Sequence, residues 1–291
     1  DEDGAGSNGI NIFKSFKAVN PVLADNGTNL VAVWQEDDGT GKDLIPWSKQ
    51  DSYKNWNCLP ERSCLELNKN KYSSNYDSES PTVTLYNNGT DNTTYSSWVE
   101  KNSSWVKQIR VSKYNNNSTW SIVDGDDASS GINFNSTKNS VNPFLKGFNN
   151  ELYAIWSEDN SSSYQIRVAK FDNSSSWNFK EGTNCSGNNC YLTDNKTGLN
   201  KSNGSGSNPM LEVFNNNLYA IWSEENSDTR TQIRVSKYDG SNNSWSFVDG
   251  NDANKGINKD YRNNASHPKL VVANSNLYAV WLEENGSTQV R

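Results

Sequence analysis

Asn208-Pro209-Met210-Leu211-Glu212-Val213-Phe214-Asn215-Asn216-Asn217-Leu218-Tyr219-Ala220-Ile221-Trp222-Ser223-Glu224 decides the fold. Met210 to Phe214 is a short apolar run, Asn215 to Asn217 is turn chemistry, and Leu218 to Ser223 alternates in β-forming residues. Downstream, Gln232-Ile233-Arg234-Val235-Ser236-Lys237-Tyr238 predicts a third strand. Asp239 to Asn243 turns the chain, and Ser244 to Val248 predicts a fourth. No segment sustains a helical period.

The phrase recurs. Asn20-Pro21 leads to Trp34-Gln35-Glu36, Asn142-Pro143 to Trp156-Ser157-Glu158, and His267-Pro268 to Trp281-Leu282-Glu283. A degenerate copy runs from Ser80-Pro81 to Trp98-Val99-Glu100. The prolines are 60, 62, 66 and 59 residues apart, a period that means one supersecondary unit repeated. A connector signature separates the copies: Gly9-Ile10-Asn11, Leu67-Asn68-Lys69, Gly131-Ile132-Asn133, Gly198-Leu199-Asn200 and Gly256-Ile257-Asn258. Four antiparallel strands per copy predict an all-β, five-bladed β-propeller. Its blades are residues 10–66, 67–131, 132–198, 199–256 and 257–291 of a single domain spanning 1–291. A β-sandwich or solenoid array is the alternative. The last copy stops at Gln289-Val290-Arg291, matching Gln232-Ile233-Arg234, so its fourth strand is expected to be missing. Such an edge would invite pairing with another chain.

Composition sets the setting. Of 291 residues 11 are Trp and only one is Met, so the core must lean on aromatics. Burying one Trp removes roughly 200 Å² from water, a gross gain of about 5 kcal/mol. A net charge of −7 without a basic run argues against a nucleic-acid partner. No stretch is apolar for long enough to span a bilayer as a helix. The chain begins at Asp1 rather than Met, as a mature or excised product would.

Cys58/Cys64 and Cys185/Cys190 are two close pairs, read as local disulfides of an oxidising compartment. A zinc site is the rival and would need the pairs to converge. Asn-x-Ser/Thr sequons stand at Asn26, Asn88, Asn92, Asn102, Asn116, Asn117, Asn135, Asn160, Asn173, Asn184, Asn195, Asn200, Asn203, Asn242, Asn264 and Asn285. They predict an N-glycosylated, extracellular or cell-surface protein; the rival reading is Asn as turn residue.

Pro-x-Leu, Leu-Tyr-Ala-Ile-Trp and Gln-Ile-Arg-Val resemble the blades of secreted and cell-wall propellers of the kelch or galactose-oxidase type, without the kelch double glycine. Five blades also resemble tachylectin-type lectins, whose repeats are shorter. The resemblance implies a fold and an extracellular setting, and it carries over no catalytic residue.

The repeated polar positions are the candidate site. Trp34, Trp98, Trp156, Trp222 and Trp281 each precede Glu36, Glu100, Glu158, Glu224 and Glu283 by two residues. Arg110, Arg167 and Arg234 follow in strand three, with Pro46 in that place in the first copy. Glu and Arg form either a structural ion pair or one glycan pocket per blade, with Trp stacking on a sugar. Asp124, Asp126, Asp249 and Asp252 lie in oxygen-rich turns that suit calcium, the one cofactor considered; Asx-turns explain them equally.

Because the polar positions repeat almost unchanged, the expected function is non-catalytic. It is binding of glycans or surface proteins, or building a surface layer. A filament subunit, in which one chain completes the next chain's open blade, is the alternative. A glycosidase, which needs unlike acid and base carboxylates in one site, comes third.

Overall fold

The computed structural model describes residues 10–12, 15–25, 30–50, 56–57, 67–68, 77–87, 92–115, 119–125, 129–174, 176–180, 185–186, 189–190, 198–241, 243–250 and 252–291. The chain is an all-β, five-bladed propeller of antiparallel blades, the last with three strands. It divides into two compact units, residues 1–150 and 151–291, at the turn of the third blade's first hairpin.

Blade one comprises β1 (Ala18–Asp25), β2 (Leu30–Asp37), β3 (Asp43–Leu44), β4 (Trp47–Gln50) and β5 (Trp56–Asn57). Here β3 and β4 are one third strand interrupted at Ile45-Pro46, because Pro46 has no N–H to give the ladder. Its carbonyl still accepts from Trp34 N at 3.2 Å, so Pro46 faces Trp34 as arginine faces tryptophan elsewhere. Blade two is β6 (Ser78–Asn87), β7 (Asn92–Lys101), β8 (Lys107–Asn115) and β9 (Thr119–Ile122). Blade three is β10 (Ser140–Phe148), β11 (Glu151–Asp159), β12 (Tyr164–Phe171) and β13 (Trp177–Phe179). A short ribbon, β14 (Cys185–Ser186) with β15 (Asn189–Cys190), follows. Blade four is β16 (Gly206–Phe214), β17 (Asn217–Glu225), β18 (Thr231–Asp239) and β19 (Ser244–Phe247). Blade five is β20 (Ala265–Ala273), β21 (Asn276–Glu284) and β22 (Thr288–Val290).

The sequence explains the hairpins and one recurrent kink. Asn149-Asn150, Asn215-Asn216 and Asn274-Ser275 all have positive φ, the two-residue turn whose twist suits a β-hairpin. The residue before each repeat proline is also left-handed: Asn20, Ser80, Asn142, Asn208 and His267 have φ between 51° and 54°. Register shifts fall there, between Val19 and Val22, Glu79 and Thr82, Ser207 and Met210, and Ser266 and Lys269. These four first strands therefore carry a bulge at that residue.

The connector signature is a clamp on strand three of the blade that precedes it. Leu67 N donates to Ile45 O, and Asn68 Oδ1 accepts from Ile45 N at 2.8 Å. Ile132 and Asn133 hold Ile109 in the same way, as do Leu199 and Asn200 with Ile166, and Ile257 and Asn258 with Ile233. The glycine before it is required by this approach: a Cβ on Gly256 would stand 2.1 Å from Ile233 O.

Within residues 1–150 the core joins Val31, Val33, Ile45, Trp47, Leu67 and Trp98, with Trp47 edge-on to Tyr114 and Trp120. Within 151–291 it joins Ile221, Ile233, Val235, Ala265 and Leu270. Among the described residues no helix is long and apolar enough to cross a membrane.

Candidate functional site

The repeated Trp-x-Glu is a buried clamp. The indole N–H of Trp34 donates to Glu36 at 2.6 Å, Trp98 to Glu100 at 3.1 Å and Trp156 to Glu158 at 2.9 Å. Trp222 donates to Glu224 at 2.8 Å and Trp281 to Glu283 at 3.0 Å. The carboxylates also accept connector amides: Ile12 N on Glu36, Lys201 and Ser202 N on Glu224, Lys259 and Asp260 N on Glu283. Trp98, Trp156 and Trp222 are 0% exposed. A ring with no exposed face offers no platform for a sugar, so these three are core, not stacking surfaces.

Arg110, Arg167 and Arg234 stand directly opposite Trp98, Trp156 and Trp222 in the ladders, and all three are buried. Arg234 Nε approaches Glu224 at 3.7 Å and Nη1 approaches Asp249 at 3.5 Å. Arg110 Nε meets Asp124 at 3.0 Å, and Asp124 also accepts the Val111 amide at 2.9 Å. Two of the four turn carboxylates considered for calcium, Asp124 and Asp249, thus pair with arginine. Asp252 is paired with Lys255 at 3.4 Å, and Asp126 lies outside the described residues. No group of three or more His, Cys, Asp or Glu side chains among the described residues is placed to hold a metal ion. Burial pushes the Glu224 carboxyl up despite its hydrogen bonds and Arg234, and burial also raises Asp249.

Cys185 and Cys190 are direct partners across the β14–β15 ladder; Cys58 and Cys64 lie outside the described residues. So do Asn26, Asn88, Asn116, Asn117, Asn184, Asn195 and Asn242. Asn92, Asn173, Asn203 and Asn285 are exposed, whereas Asn135, Asn160 and Asn264 are half-buried. Asn102 is buried, with Nδ2 donated to Ser129 O at 2.8 Å. Asn200 Nδ2 donates to Tyr164 O and Gly204 O.

Chemistry suited to catalysis gathers where the repeat is broken, within residues 1–150. Position 35 is Gln where the other copies have Val99, Ser157, Ser223 and Leu282. The third strand of blade one starts with Asp43 where its counterparts start with Lys107, Tyr164, Thr231 and Thr288. Gln35 Nε2 donates to Asp43 Oδ2 at 2.8 Å. Its Oε1 accepts Asn20 Nδ2 at 3.1 Å and the Ser80 amide at 3.4 Å, so two bulge residues fix the Gln35 amide. The Asp43 amide donates to Asp77 Oδ1 at 3.0 Å. Asp77 is bonded by Lys101 Nζ at 3.0 Å, and Lys107 Nζ reaches Glu79 at 2.5 Å. Burial raises the Asp43 carboxyl; the Gln35 bond opposes this, and the charges of Asp77 and Asp37 add to it. Asp77 and Lys101 stay partly open to solvent, at 37% and 26%. A carboxyl held toward its protonated form beside a second, lysine-paired carboxylate is the unlike pair that acid–base chemistry needs.

None of Gln35, Asp43, Asp77 or Glu79 stands out when the copies are read for what they share. The signal that finds them is departure from the repeat.

Solved structures share this fold. A thermostable family-43 glycoside hydrolase aligns with TM-score 0.50 and 12% identity, over 94% of this chain and 86% of that one. An endo-arabinase from Bacteroides thetaiotaomicron aligns with TM-score 0.48 and 8% identity, over 93% and 91%. A glycosyl hydrolase from Bacteroides ovatus aligns with TM-score 0.47 and 13% identity, over 95% and 83%. No protein-family model matches the chain, and no curated protein does.

Two expectations are corrected. The five-bladed propeller stands, but its structural likeness is to family-43 glycoside hydrolases, not to kelch-like or tachylectin-type repeat proteins. The expectation of a non-catalytic binding or surface-layer protein, or of a filament subunit, is overturned by the same likeness. The physical reason is that repetition in the polar clamp reports how each blade is held together. It is silent about a site made of the residues that do not repeat.

Proposed function

We propose that the chain is a glycoside hydrolase whose proton donor is Asp43, with Asp77 as the partner carboxylate. The single observation carrying this is the Asp43 environment. Burial and two nearby carboxylates push its carboxyl up, and Gln35 engages one of its oxygens, Oδ2. In glycoside hydrolysis one carboxylic acid protonates the leaving oxygen and a second carboxylate activates water or attacks the sugar. Asp43 supplies the proton; Asp77, balanced by Lys101, supplies the negative carboxylate; Gln35 positions Asp43. The likeness in fold to a family-43 hydrolase supports this reading.

We also infer an extracellular setting, supported by the short Cys58/Cys64 and Cys185/Cys190 spacings and the sixteen sequons of the sequence. The test is release of reducing sugar from a polysaccharide panel by the wild type, Asp43→Asn and Asp77→Asn. Loss in both variants with retained folding is the expected result. Full activity in Asp43→Asn sinks the assignment.

A further inference from the structure

Trp105 sits in the loop joining β7 to β8, and two features set it apart. It is 59% exposed, whereas Trp98, Trp156 and Trp222 are fully buried. Its φ is +64°, a left-handed backbone that a bulky residue rarely adopts. The left-handed turn belongs to the loop, but the tryptophan does not, because blade four builds the same loop without one. In blade two Asn102 Oδ1 accepts the Ser104 and Val106 amides, Asn102 Nδ2 donates to Ser129 O, and Trp105 N donates to Asn102 O. In blade four Asn226 Oδ1 accepts the Asp228 and Arg230 amides, Nδ2 donates to Asn254 O, and Thr229 N donates to Asn226 O. Thr229, at φ +58°, holds the place of Trp105. The loop folds with threonine there at the same left-handed backbone; blade two instead exposes a large ring at that position.

The ring's position gives it a use. Lys101 Nζ lies 5.7 Å from the Trp105 ring centroid, within cation–π reach, and the same ammonium bonds Asp77 at 3.0 Å. Asp77 in turn accepts the Asp43 amide. Aromatic platform, cation and the Asp77 carboxylate therefore form one chain of contacts that reaches the Asp43 backbone within residues 1–150. A flat apolar ring beside hydrogen-bonding groups suits the C–H face of a pyranose or furanose ring.

We propose that Trp105 is a sugar-stacking subsite, binding a residue of an oligosaccharide whose scissile bond lies at Asp43 and Asp77. This rests on the hydrolase reading for its register, but the binding itself is tested apart from turnover. Wild type, Trp105→Thr and Trp105→Phe are each prepared alone and with Asp43→Asn. Retardation in gels containing soluble arabinan, xylan or galactan is measured with quenching of tryptophan fluorescence. Expected is wild-type retardation by at least one polysaccharide, weakened about tenfold in Trp105→Thr and restored in Trp105→Phe, in both backgrounds. In the active background KM rises about tenfold while kcat stays within about twofold, the mark of binding lost equally from ground state and transition state. Unchanged retardation in Trp105→Thr overturns the subsite, as does absence of retardation by all three polysaccharides in the wild type. A wild type that binds through Trp105 but releases no sugar overturns the hydrolase reading and leaves the subsite standing.

Discussion

The indole N–H of Trp222 donates to the carboxylate of Glu224 at 2.8 Å, and both side chains are buried. The same pair recurs in every blade, so it is the device that ties strand two to the connector. Trp222→Phe keeps much of the ring and removes the donor. Leaving a buried carboxylate short of a bond costs about 1–3 kcal/mol, so that loss is expected in denaturant unfolding of the full chain. Trp222→Ala should cost more, about 3–5 kcal/mol, because a cavity is added.

Glu224 and Asp249 give stability a pH dependence of unusual sign. Burial raises both carboxyls above their ordinary values of 4.5 and 3.8 in the folded chain. Between those values and the raised ones the folded state holds more protons than the unfolded state. Their contribution therefore falls as pH rises, and the whole penalty is present above the folded values. Asp260 works oppositely. Arg262 and its amide lower it to about 2, so its contribution exists above 3.8 and is lost as pH falls toward 2. The melting temperature is expected to rise as pH falls through the raised values of Glu224 and Asp249 toward 4.5, and to fall again below about pH 4 as Asp260 loses its contribution. Glu224→Gln should flatten the upper part of that curve. An upper slope identical to wild type would remove Glu224 as its source.

Asp43 predicts the alkaline limb of activity. A proton donor works only while protonated, so the rate should fall as pH rises through its raised value. Asp37 and Asp77 both push that value up. Asp37→Asn should therefore shift the alkaline limb to lower pH while leaving the donor in place. The pH profile of kcat/KM measures this directly, and a limb that does not move would detach Asp37 from Asp43.

The fold was legible because its cause repeats. A left-handed residue before each repeat proline, a two-residue left-handed turn in the first hairpin of blades three to five and one glutamate-bonded tryptophan per blade are all local demands, and each leaves a fixed residue in a fixed place. The three-stranded fifth blade follows from the same alignment. The site was not legible because it depends on contacts across long separations. The Asp43 amide meets Asp77 34 residues away, and Gln35 meets Ser80 across 45. Nothing in the local pattern around Asp43 announces those partners. The repeated Glu and Arg drew the functional reading because they are regular, yet regularity marks what every blade needs to fold. Trp105 shows the converse: compared with Thr229, it is conspicuous only once the two loops are seen to be built alike.

The structure also sorts the sequons. Glycan transfer needs a free Asn Nδ2 with room around it. Asn102 gives its Nδ2 to Ser129 O and is 5% exposed, and Asn200 divides its Nδ2 between Tyr164 O and Gly204 O. A glycan on either would break the loop or the connector clamp it holds. Asn92, Asn173, Asn203 and Asn285 are exposed. Secreted from a glycosylating host, the folded chain should carry glycans among these four and none at Asn102 or Asn200, as read by peptide mass spectrometry after enzymatic deglycosylation in heavy-oxygen water. Substantial occupancy at Asn102 in folded protein would mean that its Nδ2 bond to Ser129 is dispensable. The loop presenting Trp105 would then be held by the Asn102 Oδ1 contacts alone.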